Sequence, residues 1–330
     1  MHARAVFSAD ALKLDAARSV DQITTAIREQ VLKDLKRKGV VVGLSGGIDS
    51  SVVAALNVQA LGKDKVLALL MPERESSEDS LSLARQVADS LEINTVLEDI
   101  TPILEGAGCY RRRDEMIRIV IPEYGSGYKS KIVLPGLADQ KGYRIFSVVA
   151  QSPEGRQITA RLTPESYHGV VAATNFKQRI RKMMEYYHAD RLNYAVAGTP
   201  NRLEYDQGFF VKNGDGAADL KPIAHLYKTQ VYQLAEHLGI PEEIRRRPPT
   251  TDTYSLSQSQ EEFYFSLPYD KMDICLYGKN HGISAEDVAR AAGLTADQVE
   301  YVYRDITAKR KATRYQHLKP LLIESVEEIS

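Results

Sequence analysis

The 330-residue sequence predicts an α/β fold: a doubly wound parallel sheet of about five strands with helices on both faces. Three observations predict it. Short, apolar, β-branched runs alternate with stretches of helical period. A glycine-rich turn joins the first of those runs to the helix after it. The alternation breaks once, between about 102 and 168, and then resumes.

In chain order, Val20, Ile23, Ile27, Val31 and Leu35 recur at spacings of three or four and predict an amphipathic helix over 18–38. Lys36-Arg37-Lys38 suit its negative end, and Gly39 reads as the stop. Val40-Val41-Val42-Gly43-Leu44 has the pattern of a strand buried on both faces. A helix over 50–61, strands over 66–71 and 95–100, and a helix over 77–91 follow. A helix over 171–189 and a strand over 194–197 complete the rhythm. Strands alternating with helices imply right-handed crossovers, hence a parallel sheet with its ligands beyond the carboxyl ends of the strands. The segment 102–168 reads as an insertion with the makings of a lid. It contains Pro-, Gly- and Tyr-rich loops and a hairpin of Arg144–Gln151 with Arg156–Leu162. The rest forms one domain, ending in a helical tail over 270–330.

Bulk properties remove several function classes. Hydrophobic residues make up 43% and charged residues 26%, and the formal net charge is −1, so nothing draws the chain as a whole to nucleic acid or an anionic membrane. No apolar run reaches the roughly 18 residues that span a bilayer, and the first residues lack the apolar core of a signal peptide. Cys109 and Cys275 lie far apart and form neither a zinc motif nor a disulfide framework. These features lead us to expect a cytoplasmic enzyme. Residues 283–299 are similar in outline to a helix-turn-helix, with Lys309, Arg310, Lys311 and Arg314 beyond it. Asp297 and Glu300 would however face phosphates, so nucleic acid is not expected as a partner.

The turn between the first strand and the next helix is the sharpest chemical signal. In Ser45-Gly46-Gly47-Ile48-Asp49-Ser50, glycines let backbone N–H groups approach an anion, and the helix that follows adds its positive end. Ser45, Ser50 and Ser51 supply hydroxyls, and Asp49 is a hard oxygen ligand suited to magnesium. The turn is neither a Gly-x-x-x-x-Gly-Lys loop nor a Gly-x-Gly-x-x-Gly fingerprint. It resembles the loop of the ATP-pyrophosphatase superfamily, which grips the pyrophosphate of ATP. That likeness implies an adenine nucleotide alpha-hydrolase-like fold and cleavage of ATP to AMP and pyrophosphate. The acceptor stays open: amidation or thiolation of any of several carboxylates or nucleobases would use the same loop.

A longer series narrows the acceptor. Asn175-Phe176-Lys177-Gln178-Arg179, Gly198-Thr199-Pro200-Asn201-Arg202-Leu203-Glu204, the run from Gly208 to Asp219, and Pro249-Thr250 follow in order. This series resembles the ammonia-dependent NAD synthetase family, a group of carbon-nitrogen ligases. The resemblance implies Mg2+ as cofactor, and ATP, deamido-NAD and ammonia as substrates. ATP would be bound by Gly43, Leu44, Ser45, Gly46, Gly47, Ile48, Asp49, Ser50, Arg179, Thr199, Lys228 and Thr250. Lys212, Asp219 and Lys309 would bind deamido-NAD, and Asp49 with Glu204 would hold the metal. A homodimer is implied as well, and no side chain is expected to act as a covalent nucleophile. No glutaminase domain accompanies the series, so free ammonia or a separate glutaminase supplies the nitrogen. Three positions depart from the family pattern: Glu73, Pro200 and Ala308. Arg111-Arg112-Arg113 reads as a solvated face.

Overall fold

The structure, a computed structural model, describes residues 7–133, 146–249, 254–256, 258, 264–265 and 267–327. Four parallel strands form the central sheet: β1 (Val40–Gly43), β2 (Val66–Leu70), β3 (Asn94–Leu97) and β7 (Ala195–Ala197), in the order β3-β2-β1-β7. The fifth strand expected from sequence is reduced to one parallel bridge between Ala197 and Leu220. Pro222 follows two residues later without a backbone N–H to continue the pairing.

Alternation along β1 builds both layers. Val40 and Val42 face a core shared with α1 (Ala16–Glu29), α2 (Ile48–Leu61), α3 (Glu78–Ser90) and α8 (Lys228–His237). Val41 points the other way, with Leu67, Leu69 and Val196, onto α6 (Pro164–Leu192). Each buried valine contributes about 1.5–3 kcal/mol from removal of its side chain from water.

The first helix differs from its sequence expectation. It passes into a π turn over Gln30–Asp34, and Lys36 takes the left-handed conformation (φ 52°), the place expected for Gly39. Gly39 serves packing instead, since an added Cβ would lie 2.4 Å from the Lys65 carbonyl oxygen.

The insertion contains α4 (Thr101–Gly106), α5 (Cys109–Arg118) and an antiparallel sheet of β4 (Lys129–Val133), β5 (Ser147–Gln151) and β6 (Gln157–Arg161). The hairpin read from sequence is β5–β6; Arg144 lies outside the described residues. Ile117, Tyr124, Ile132, Val148 and Leu162 give the insertion its own small core against the start of α6. The cysteines are buried, Cys109 in α5 and Cys275 in a later helix.

After β7 come α7 (Arg202–Gln207), α8, α9 (Glu242–Arg246), α10 (Tyr269–Asn280), α11 (Ala285–Ala292) and α12 (Ala296–His317). Val288, Ala289, Val299 and Val302, the apolar face of the helix-turn-helix look-alike, pack into a core with α10. Among the described residues no helix is long and apolar enough to cross a membrane.

Candidate active site

Where β1 meets α2, Gly46 takes φ 75°, and a Cβ there would sit 2.7 Å from the Ser80 carbonyl oxygen. Glycine is therefore required both by conformation and by space. Gly47 is the N-cap of α2, with ordinary extended angles and no side chain to cover the helix start. The Ser50 hydroxyl donates to the Gly47 carbonyl (3.0 Å) and accepts from the Ser45 N–H (3.3 Å), which clamps the turn shut. Ser51, read as a ligand hydroxyl, is fully buried and donates to the same carbonyl (2.8 Å), so it braces the turn and does not line the cavity.

A cavity of about 500 Å³ opens above the carboxyl ends of the strands. All of 43–50 lines it, and so do Arg179, Thr199, Glu204, Lys212 and Lys228. Residues more than 180 positions apart thus converge on one wall. Thr250 lies outside the described residues.

The acidic side of this wall is built by a local motif. Asn201 caps α7: its Oδ1 accepts from the N–H groups of Leu203 (2.9 Å) and Glu204 (3.2 Å). Glu204 Oε2 accepts from the Asn201 N–H (3.1 Å), closing a capping box. Asn201 Nδ2 then donates to Asp49 Oδ1 (3.3 Å), and the ammonium of fully buried Lys228 pairs with Asp49 Oδ2. Asp273 accepts from the backbone N–H groups of Lys228 (3.3 Å) and Thr229 (2.7 Å), which fixes the start of α8. Burial first, and Asp49 next, push the Glu204 carboxyl up to about 8 against the pull of Lys228. Burial would lower the Lys228 ammonium, but Asp49 and Glu204 outweigh it and raise it. One ammonium therefore does not neutralise two carboxylates. Short of positive charge, Glu204 holds its proton near neutral pH; a divalent cation such as Mg2+, which commonly takes one or two carboxylates and completes its shell with phosphates and water, would supply the missing charge to these hard oxygen donors.

Two expected substrate residues lie elsewhere. Asp219 is exposed at the sheet edge, where it accepts from the Val196 N–H (2.8 Å) and the Tyr186 hydroxyl (3.3 Å). Lys309 is buried, donates to the Tyr264 carbonyl (2.6 Å) and pairs with Asp305 (3.0 Å). Neither lines the cavity. Tyr315 and Gln316, nearly two turns beyond Lys309 on α12, occupy the wall, and Lys212 Nζ donates to the Tyr315 carbonyl (2.9 Å).

Sequence reasoning missed several wall residues. Lys182 and Glu185 form a buried pair (2.5 Å) on the cavity side of α6. Glu185 lies so close to β1 that a Cβ on Gly43 would meet its Oε1 at 2.9 Å. Asp215, raised by burial, accepts from the Val211 N–H (2.7 Å) at the same wall. An i, i+3 Lys–Glu pair reads as a surface pair in sequence, so only placement reveals it. The capping box was visible as Asn-x-x-Glu. Of the arginine run, Arg111 and Arg112 are exposed as expected, but Arg113 is buried and holds Glu75 through both carboxylate oxygens (2.6 and 2.8 Å). Arg202 pairs with Asp206 (3.4 Å), which leaves Glu204 to the cavity.

A family model described as NAD synthase matches residues 19–118 and 139–316. The NH(3)-dependent NAD(+) synthetase of Rhizobium meliloti strain 1021 is 63% identical over 326 residues, covering 99% of this chain and 97% of its own. The enzyme of that name from Thermotoga neapolitana is 36% identical, covering 81% and 87%. Among solved structures, the NH3-dependent NAD synthetase of Campylobacter jejuni superposes with a TM-score of 0.62 at 23% identity, covering 94% and 100%. The NMN synthetase of Francisella tularensis gives 0.61 at 22%, covering 94% and 99%, a likeness of fold. The chain, a ligase, belongs to the NAD synthase family.

Proposed function

We propose that the enzyme amidates deamido-NAD with ammonia at the expense of ATP, in the cavity between the glycine turn and α6. The observation that carries the reading is the meeting, on one wall, of an anion-binding turn with Asp49, Glu204 and Lys228. The backbone N–H groups of the turn and the N-terminus of α2 hold the β- and γ-phosphates. Asp49 and Glu204 hold Mg2+, which when bound supplies positive charge against those phosphates. Lys228, tethered to Asp49, adds a fixed cation on the same side. A nicotinate carboxylate oxygen attacks the α-phosphorus of ATP; the bond to the β-phosphate oxygen breaks and pyrophosphate leaves. Ammonia then attacks the acyl carbon of the adenylate, loses one proton, and AMP departs with the oxygen that the carboxylate contributed. Orientation and electrostatic stabilisation supply the catalysis, with no covalent enzyme intermediate.

Arg179 and Thr199 bind ATP in this reading, and Lys212, held against the Tyr315 carbonyl, meets the dinucleotide. Asp219 and Lys309 do not line this cavity, so they would meet the dinucleotide only where it extends beyond it. The chain acts as one ligase unit in the cytoplasm, with 102–168 inserted as a brace. Among the described residues of that segment only Tyr167 lines the cavity. We infer a homodimer, supported by the exposed Met183 and Tyr187 one turn apart on α6. The test is pyrophosphate release with Mg-ATP, ammonium and deamido-NAD, with identification of the product. Release only with some other carboxylate would overturn the substrate assignment. A monomeric mass in solution at micromolar concentration would overturn the dimer.

A further inference from the structure

Three consecutive arginines, two ending α9 and the third its C-cap, do different work. Arg245 Nε donates to the Ile240 carbonyl (2.9 Å), and Arg246 pairs with Glu242 in its own helix. Arg247 instead reaches across the chain to α3. Its Nη2 donates to Ser77 Oγ (3.1 Å) and lies 3.5 Å from Ser80 Oγ. Both partners are neutral hydroxyls, and among the described residues no carboxylate is within ion-pair distance of this guanidinium. Arg247 also lines the cavity that holds the glycine turn. Ser80 connects the two: its carbonyl lies 2.7 Å from where a Cβ of Gly46 would be.

We propose that Arg247 is a phosphate-binding residue of this enzyme, meeting the pyrophosphate portion of ATP from the start of α3. An arginine held by two hydroxyls is oriented without being neutralised. Exchanging such partners for phosphate oxygens replaces neutral contacts by charge-assisted, two-pronged ones. The turn then contributes backbone N–H groups and Arg247 a mobile charge, so the leaving group is held from two sides. Ser77 and Ser80 act as positioning residues that park the guanidinium between turnovers. The proposal rests on the reading that the glycine turn binds these phosphates.

The experiment is calorimetric binding of inorganic pyrophosphate, with Mg2+ present, to the full chain and three variants. R247Q removes the charge, and R247K keeps the charge without the fork. Gly47→Asp puts a carboxylate in the turn, at a position with φ −85° where an added Cβ meets only Ser45 Oγ, at 3.3 Å. R247Q should weaken pyrophosphate binding roughly 10- to 100-fold and raise the KM for ATP by a similar factor. R247K should recover part of the loss, while AMP affinity stays within about twofold in both arginine variants. Pyrophosphate bound by R247Q as tightly as by the unaltered chain, with Gly47→Asp weakened, overturns the role of Arg247 and leaves the turn standing. Equal affinity in all of them overturns both. A loss in R247Q and R247K alike, extending equally to AMP, would mark Arg247 as structural and overturn the proposal as well.

Discussion

Two buried charge clusters flank the cavity, and they differ in balance. At the end of β2, Lys177 Nζ lies 2.8 Å from carboxylate oxygens of both Glu73 and Glu75, and Arg113 takes Glu75 from the other side. The Tyr110 hydroxyl completes the shell of Glu73 (2.7 Å). Burial pushes the Glu75 carboxyl up, but Lys177 and Arg113 overcome it and hold it down to about 2. At the glycine turn, Asp49 and Glu204 share Lys228, and Glu204 is driven the opposite way, to about 8. A carboxylate that the fold has satisfied is a fastener. One left short of positive charge is, in the proposed reading, a place for a cation, and on that reading the contrast separates structural from functional ionic groups in a single chain.

The contrast also explains two features read from sequence. Glu73, a departure from the family pattern, is not a gap in the nucleotide wall but a member of the fastener. Through Tyr110 and Arg113 of α5, that fastener ties the insertion to the loop after β2, part of which lines the cavity.

The sharpest way to break the comparison is Asp49→Ala. It should lower turnover at least ~100-fold, the scale on which a lost electrostatic contact at a transition state is felt. Retained turnover in the pyrophosphate-release assay would remove Asp49 from the machinery. Arg113→Ala should instead act on stability, destabilising by about 3–5 kcal/mol because Glu75 is left in a buried site with less compensation. A denaturant titration reads this loss, while specific activity of the folded fraction should change only a few-fold.

The signs should then diverge for the neutral isosteres. Glu75→Gln should lower the thermal midpoint. Glu204→Gln, measured in a chelator, should raise it, by the equivalent of about 1–3 kcal/mol near neutral pH, because ionising that carboxyl opposes folding. A lowered midpoint for Glu204→Gln would mean that its charge is already compensated. The smallest effect is on pH dependence. Glu75 is depressed in the fold, so its stabilisation is present above the ordinary carboxylate range and fades as the pH falls toward about 2. Glu204 is raised, so its term weakens the fold as the pH climbs from the ordinary carboxylate range to about 8. Stability curves of the two glutamine variants should therefore run with the parent at low pH and part from it in opposite directions as the pH rises, Glu75→Gln falling below it and Glu204→Gln rising above it.

Much of this was legible because it is local. The β1–turn–α2 unit occupies one contiguous stretch, and its periodicity, glycines and polar residues report the same structure. The order of motifs from Asn175 to Pro249 placed Arg179, Thr199, Glu204, Lys212 and Lys228 on one cavity, and the fold brings them there. Lys309 was not placed by the same logic. Its neighbours Tyr264 and Asp305 draw it into the C-terminal core, a preference set by packing among α10, α11 and α12. Arg113 failed as a solvated residue for a similar reason, since its partner is 38 positions away.

The sequence by itself determined the alternation that makes a parallel sheet, the anion-binding turn and the family series. Each depends on neighbours within a few residues or on the order of motifs. Only the tertiary structure decided which charges are fasteners and which face the cavity. Glu73, Glu75, Arg113 and Lys177 look like surface charges until the chain closes on itself. Glu204 looks like half of an ordinary surface pair until burial and Asp49 raise it. Desolvation and pairing depend on distances between segments that are remote in sequence, and it is these that separate a balanced cluster from one left short of positive charge.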